Sequence, residues 1–453
     1  LAGTTNENVA ADERPSEASA YPATSQHAAD FSLARTDANS ELDAQGATFT
    51  PAETFTPSLE GSPLRVVWEG PQFVRASFAL VNREMCSTLL SMSERERADG
   101  KAGAASRLEL SVRAHGPFEF GAQEDPLRFA PLAAAFGAPL SGPPDVHVQM
   151  SYDFRTEPPP EGRWAVFQPW DYTSIPRRWL HLFETYVDEV WVPSRFVWRS
   201  FVGSGVSPSK VHVLPHGVRS EFFRTGLEPR ELPTRKSFKF LFVGGTLWRK
   251  GIDILLDAYQ RTFGPADDVT LVIKDVGAKS YYRPHNAEAR IREMQRDVSA
   301  PEVVYLTDDV SDREVGCLYA SCDCLVHPFR GEGFALPVAE AMGTGLPVIV
   351  TRGGPCDDYA TDETAYFLPS RLVHAPMWEE TVSPACVLEP DADALVELMR
   401  RVVRERDAAR ALGLRASRSI HESLTWERAA RLALQRCDAL ARGASAPGEL
   451  AAA

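Results

Sequence analysis

The stretch His327–Thr351, HPFRGEGFALPVAEAMGTGLPVIVT, decides how the rest of the chain is read. It opens at the end of the apolar run Cys324–Val326, a strand signal, and its His-Pro dipeptide ends that strand. A glycine-rich turn follows and presents Glu332. An amphipathic helix then starts near Leu336, with Pro337 in the first turn, where a missing N–H is harmless. Gly343 and Gly345 close the helix, and Leu346–Thr351 is the next apolar strand. Strand, turn, helix and strand make the unit of a parallel sheet. Glu332 on the turn and Glu340 on the helix can face one cleft, with free N–H groups of the first turn between them. Such a place accepts an anion and carries carboxylates at its edge, which suits a hydroxyl-rich ligand that also bears phosphate. Two solvated glutamates are the plain alternative.

Moving outward, Phe240–Gly251 (FLFVGGTLWRKG) repeats the idea. A strand runs into Gly244-Gly245, and a helix begins at Gly251 after Arg249-Lys250. Glycines at that point let backbone approach a ligand closely, and a lysine at a helix entrance is a mobile charge suited to phosphate. The plain alternative is a solvated basic pair. Neither GxxxxGK[ST] nor GxGxxG occurs, which argues against nucleotide hydrolysis and dinucleotide binding. Around these two segments the same rhythm continues. Strands are expected at Lys239–Val243, Val269–Lys274 and Val303–Thr307, and helices over 251–262, 287–297 and, as one long element, 391–409. Upstream, strands are expected at Leu64–Trp68, Leu108–Val112, Val146–Met150, Trp164–Phe167, Glu189–Val192 and Val211–Leu214. Helices over 76–92, 177–186 and 195–203 alternate with them. The class is α/β, in two tandem blocks, with ligands outside the carboxyl ends of the strands.

Composition limits the function. The 453 residues include 48 basic and 62 acidic side chains, a net charge of −14. Residues 1–61 hold −8 of that charge, in an Ala/Ser/Thr/Glu/Pro-rich stretch without periodicity that reads as a disordered tail. The remainder is close to neutral, so acidity belongs to the tail and a nucleic-acid partner is not expected. Seven cysteines do not form a disulfide framework or a C-x2-C metal pair, and Asp357-Asp358 do not make an Asp-x-Asp metal motif after a strand. No secretory signal and no run of 18 apolar residues is visible.

Taken together, His327–Glu340 and Gly244–Gly251 resemble the C-terminal domain of retaining glycosyltransferases of the GT-B class, family 4, which carry a Glu, seven residues, Glu arrangement. The resemblance extends over about residues 64–438, through Val187–Ser194 (VDEVWVPS), Val211–Val218 (VHVLPHGV) and Trp426. It implies two Rossmann-like domains across a cleft: an acceptor-side domain at 62–220, a linker at 221–237, and a nucleotide-sugar domain at 238–420. A terminal helix at 421–440 crosses back to the first domain, and 441–453 is a frayed end. The resemblance assigns Glu332 to the donor sugar, Glu340 to ribose hydroxyls and Lys250 to the donor diphosphate. Gly244, Gly245, Gly333, Phe334 and Leu336 line the same donor site. Thr246 stands where many members place a base, so either Arg249 substitutes as a further cation there or that contact is absent. Arg219 replaces the usual Asp after Gly-Val, a change at the hinge.

In the first domain, Gly70 matches a loop near the donor phosphates, and His147 matches a residue that points at the reacting sugar. Its alternative is a core histidine. Asp153, Trp170 and Asp171 are acceptor-side residues, the last two within Phe167–Ile175 (FQPWDYTSI). That segment resembles the PWE/PWD stretch of bacterial members that assemble cell-surface polysaccharides. Trp170 can equally be core under its loop. The implied partners are a nucleoside-diphosphate sugar and a glycan, lipid-linked or small-molecule acceptor, with no metal ion. The implied location is cytoplasmic, at the inner face of the membrane if the acceptor is lipid-linked. A catalytically silent sugar-nucleotide-binding protein, or another nucleotide-sugar enzyme, is the competing reading.

Overall fold

The computed structural model describes residues 62–116, 118–152, 155–276 and 286–443. The tail at 1–61, Asp153 and the chain end from 444 lie outside the described residues.

Short, almost wholly apolar runs need both faces covered, and the chain meets that need with two parallel sheets. The first lobe contains β1 Leu64–Gly70, β2 Leu108–Ala114, β3 Val146–Gln149, β4 Arg163–Phe167, β5 Glu189–Val192 and β6 Val211–Val213. They pair in the order β2-β1-β3-β4-β5-β6. Helices α1 Ser77–Ala98, α2 Pro126–Ala134, α3 Arg177–Thr185 and α4 Arg195–Gly203 accompany them. The second lobe runs β7 Phe238–Gly244, α5 Ile252–Thr262, β8 Val269–Asp275, α6 Glu288–Arg296, β9 Glu302–Leu306 and α7 Asp312–Ala320. It continues with β10 Cys324–His327, α8 Leu336–Gly343, β11 Val348–Thr351 and β12 Tyr366–Leu368. Its order is β12-β11-β10-β7-β8-β9. Strand order therefore reverses between β1 and β3 in one lobe and between β7 and β10 in the other. Chain crossovers leave in opposite directions at such a point and open a crevice at the carboxyl ends.

Three features depart from the expected outline. The long helix over 391–409 is two helices, α9 Ala392–Arg404 and α10 Arg406–Ser423. Glu405 joins them with φ −107° and ψ 42°, and its carboxylate takes the guanidinium of Arg401 at 2.9 Å. The break lets Leu395, Val396 and Met399 pack against α5 while Ala416 and Ile420 pack with α8. The segment at 221–237 is no free linker, because Phe223 is buried on Tyr319 and the Arg230 N–H donates to Ser321 Oγ at 2.7 Å. The third feature is an antiparallel hairpin, β13 Ser370–His374 with β14 Cys386–Pro390.

The hairpin reaches across to the first lobe. It pairs Pro176 with Thr381 and Thr173 with Cys386, and it seats Ala375, Ala385 and Val387 in a cluster with Trp170, Trp179 and Phe183. The last helix, α11 Trp426–Ala441, also crosses to the first lobe, where Ala429, Ala433 and Cys437 pack with Val81, Met85 and Leu89 of α1. Its approach is close, since a Cβ on Gly217 would lie 2.2 Å from the Trp426 nitrogen. All seven cysteines are free thiols. Among the described residues, no helix is long and apolar enough to cross a membrane.

Candidate active site

The β7/β10 crevice gathers the residues singled out from the two glycine turns. After β7, the backbone passes Gly244 and a short turn to Gly251, whose φ of 72° and contact with Pro328 allow only glycine. A Cβ there would lie 1.8 Å from the Pro328 oxygen. This packing locks the basic turn against the acidic one. The Arg249 carbonyl accepts the N–H groups of Arg330 at 2.7 Å and Gly331 at 3.1 Å. Arg330 clamps the same joint from its buried guanidinium. It bonds the Trp248 carbonyl at 2.7 Å, Asp253 at 2.7 and 2.8 Å and Glu389 at 2.6 Å, and lies over the Trp248 ring.

Glu332 is buried at the centre. Its Oε1 forms an ion pair with Lys250 Nζ and takes a hydrogen bond from His327 Nε2 at 3.1 Å. Its Oε2 lies 4.0 Å from Arg249 Nη1, which also reaches Asp171 at 3.2 Å and the Gly331 carbonyl at 3.1 Å. Burial alone would raise the Glu332 carboxyl. Lys250, the His327 hydrogen bond and Arg249 together outweigh it and hold the group well below the usual carboxylate range. Burial beside Glu332 pushes Asp171 the other way, against Arg249. The group is thus two carboxylates matched by two cations.

The other predicted residues fall into distinct places. Glu340 does not share the hydrogen bonds of Glu332. It accepts the Tyr319 hydroxyl at 3.1 Å, and burial pushes it up to about 8, offset by Arg219 and reinforced by Asp312 and Glu84. Arg219 is buried where the lobes meet, 2.6 Å from Asp312 on α7 and 3.6 Å from Glu84 on α1. Phe334 packs on His216 and Tyr359, and Leu336 touches the cores of both lobes. Lys250's stem lies along Gly244, where a Cβ would be 3.3 Å from its Cδ. Gly245 packs against Leu247. Thr246 is uncharged, and its hydroxyl donates to Asp275 at 2.9 Å.

Across the crevice, the Pro169–Asp171 loop of the first lobe abuts the acidic turn. A Cβ on Gly331 would meet the Asp171 carbonyl at 2.5 Å, and one on Gly333 would meet Pro169 at 3.1 Å. Ser194, the N-cap of α4, donates its hydroxyl to the Gly333 carbonyl at 2.7 Å. Asp171 therefore joins the centre. Trp170 does not face the crevice. It is buried against Trp179, Tyr172 and Trp378, with its indole N–H on the Ser174 carbonyl, so it is core under its loop. His147 is buried at the β1/β3 crevice, 2.7 Å from Glu69 Oε2, which Arg155 also reaches at 3.3 Å. Gly70 is required by packing, since a Cβ would meet Met150 O at 2.3 Å and Asn82 at 2.4 Å.

His327, Arg330 and Glu69 had not been singled out. His327 and Arg330 stand inside the quoted motif, but strand ends and turn arginines give no signal of their partners. Among the described residues, no group of three or more His, Cys, Asp or Glu is placed to hold a metal ion.

Two parallel-sheet lobes with their carboxyl edges confronting each other across a crevice make a GT-B architecture. A glycosyltransferase from Rickettsia africae shares it with a TM-score of 0.57 at 12% identity, over 83% of this chain and 98% of that one. HepE of Anabaena, solved in complex with UDP-glucose, shares it with a TM-score of 0.54 at 14% identity, over 82% of this chain and 99% of that one. Residues 237–403 match the profile of the family described as Glycosyl transferases group 1. In sequence, the chain is 26% identical to the MMP alpha-(1->4)-mannosyltransferase of Mycolicibacterium hassiacum over 223 residues, 49% of this chain and 46% of that protein. The chain spans about half the length of the curated relatives it matches.

Proposed function

We propose that this protein moves a sugar from a nucleoside-diphosphate sugar to an acceptor hydroxyl, with retention of configuration at the anomeric carbon. One observation carries the reading: Lys250, Arg249, His327 and Glu332 converge at the β7/β10 crevice, inside the family-matching segment. Lys250 and Arg249 oppose the charge that develops on the leaving diphosphate, and the N-terminal end of α8 adds its dipole. Glu332 orients the donor sugar through its hydroxyls. Glu340, with Tyr319, receives the ribose. The acceptor hydroxyl attacks from the face the diphosphate leaves, and the departing phosphate takes its proton, which accounts for retention. The acceptor enters from the first lobe, where Glu69, His147 and Arg155 occupy the opposing crevice and Asp171 the rim. A glycan, a lipid-linked sugar or a small polyol fits this description, and a lipid-linked acceptor would bring the protein to a membrane surface. The UDP-glucose complex of HepE is consistent with such a donor in this fold.

The test is calorimetry with a panel of nucleoside-diphosphate sugars, followed by turnover of the one that binds. Glu332→Ala should lower turnover by about 100-fold or more, far more than it lowers stability, and Lys250→Ala should weaken binding of the free nucleoside diphosphate. Wild-type turnover with the correct product in Glu332→Ala would remove its donor role.

A further inference from the structure

The charges of the site are matched by the protein's own side chains: Glu332 and Asp171 face Lys250 and Arg249. A diphosphate that draws on Lys250 competes with Glu332 for its charge. Lysine is able to leave, because its charge ends a flexible four-carbon stem. Arg249 is tied to the Gly331 carbonyl and to Asp171. His327 is the fixed partner. It ends β10, paired with Val350 of β11, and its ring is fully buried, stacked on Phe242 at 5.5 Å and 25°.

The same ring carries an unexplained polar atom. With Nε2–H donating to Glu332, Nδ1 is a buried acceptor without a partner. Phe242 and Phe329 both pack on that ring, so a phenylalanine would fit the pocket with no orphan. A histidine there costs stability that packing alone does not require. We propose that His327 is the positioning residue of Glu332: it holds Oε1 in place when Lys250 moves to the diphosphate, and so keeps Oε2 directed at the donor sugar. This rests on the donor reading above.

Three substitutions separate positioning from packing. His327→Phe keeps the ring and removes the donor. His327→Gln returns an N–H near the Nε2 position, and His327→Asn reaches only to Nδ1. The probes are UDP, GDP and ADP for binding, and the matching nucleotide sugars for turnover, including release of free sugar without acceptor. In His327→Phe and His327→Asn, kcat should fall about 100-fold while affinity for the preferred diphosphate stays within about twofold, and His327→Gln should recover at least about tenfold of kcat. Wild-type kcat in His327→Phe, or equal losses in Gln and Asn, overturns the assignment. The Gln–Asn comparison stands by itself if the Phe variant does not fold. If wild-type protein binds none of the diphosphates, the donor reading fails instead, and that outcome is distinct from a wild-type rate in His327→Phe.

Discussion

Glu332 and Glu340 belong to the same motif and have opposite electrostatic surroundings. Two cationic partners and a histidine N–H keep the first ionised, whereas burial among Tyr319, Arg219, Asp312 and Glu84 lifts the second to about 8. The consequence for stability has a definite sign. Folded Glu340 binds its proton more tightly than the unfolded chain, with its ordinary value of 4.5, so its contribution is full in acid and is lost as pH rises towards about 8. Glu340→Gln has no such titration. Its melting temperature relative to wild type should climb between about pH 5 and about pH 8.5, and a flat difference across that range would contradict the burial argument. Ala335 adds a second residue-scale signal. It enters α8 with φ of 64°, a conformation that alanine resists, and the Tyr359 hydroxyl holds that turn through the Phe334 and Ala335 carbonyls.

At the scale of the element, the acidic turn between β10 and α8 owes its shape to Arg330. Its fork bonds two carboxylates and one carbonyl while the backbone around it bonds the Arg249 carbonyl, so the basic and acidic turns move as one piece. Removing that side chain leaves Asp253 and Glu389 facing each other without a cation. Because both carboxylates are partly exposed, Arg330→Ala should cost about 2–4 kcal/mol in a urea titration. It should also reduce turnover more than diphosphate binding, since Glu332 sits two residues along. α4 shows the same economy in a neutral group: Ser194 caps its own helix and tethers the Gly333 carbonyl from the other lobe.

Across the whole molecule, the crossings that hold the lobes together include α11 on α1, the Arg219 pairs with Glu84 and Asp312, and the hairpin loop seated among Trp170, Tyr172 and Trp179. Cleft opening must flex or release them. Trp378 is the plug of the hairpin crossing, with its ring 6.2 Å from Trp170 and 5.9 Å from Tyr172. Trp378→Ala should lower stability by about 2 kcal/mol and expose the loop at 375–385 to limited proteolysis. Unchanged cleavage there would mean that the loop is held without the ring.

The βα rhythm was legible because parallel strands buried on both faces are written as short apolar runs, and glycine turns mark their ends. That local pattern placed β5 and β10 to the residue and located Lys250 and Glu332 on the two turns. It did not reveal the break at Glu405, where a continuous helical period hides a change of packing partner. It also missed the hairpin, whose first strand is largely exposed and whose Met377-Trp378 pair finds its apolar contacts in the other lobe. The same limit applied to the site. Sequence by itself determined which turns carry charge, since composition and spacing are properties of the chain. Only the tertiary structure decided that His327 and Lys250 share one oxygen of Glu332, that Trp170 is core and that Glu340 stands apart. Those facts depend on how side chains and separate segments, such as the turns at Lys250 and Glu332, meet in space, and no local period encodes them.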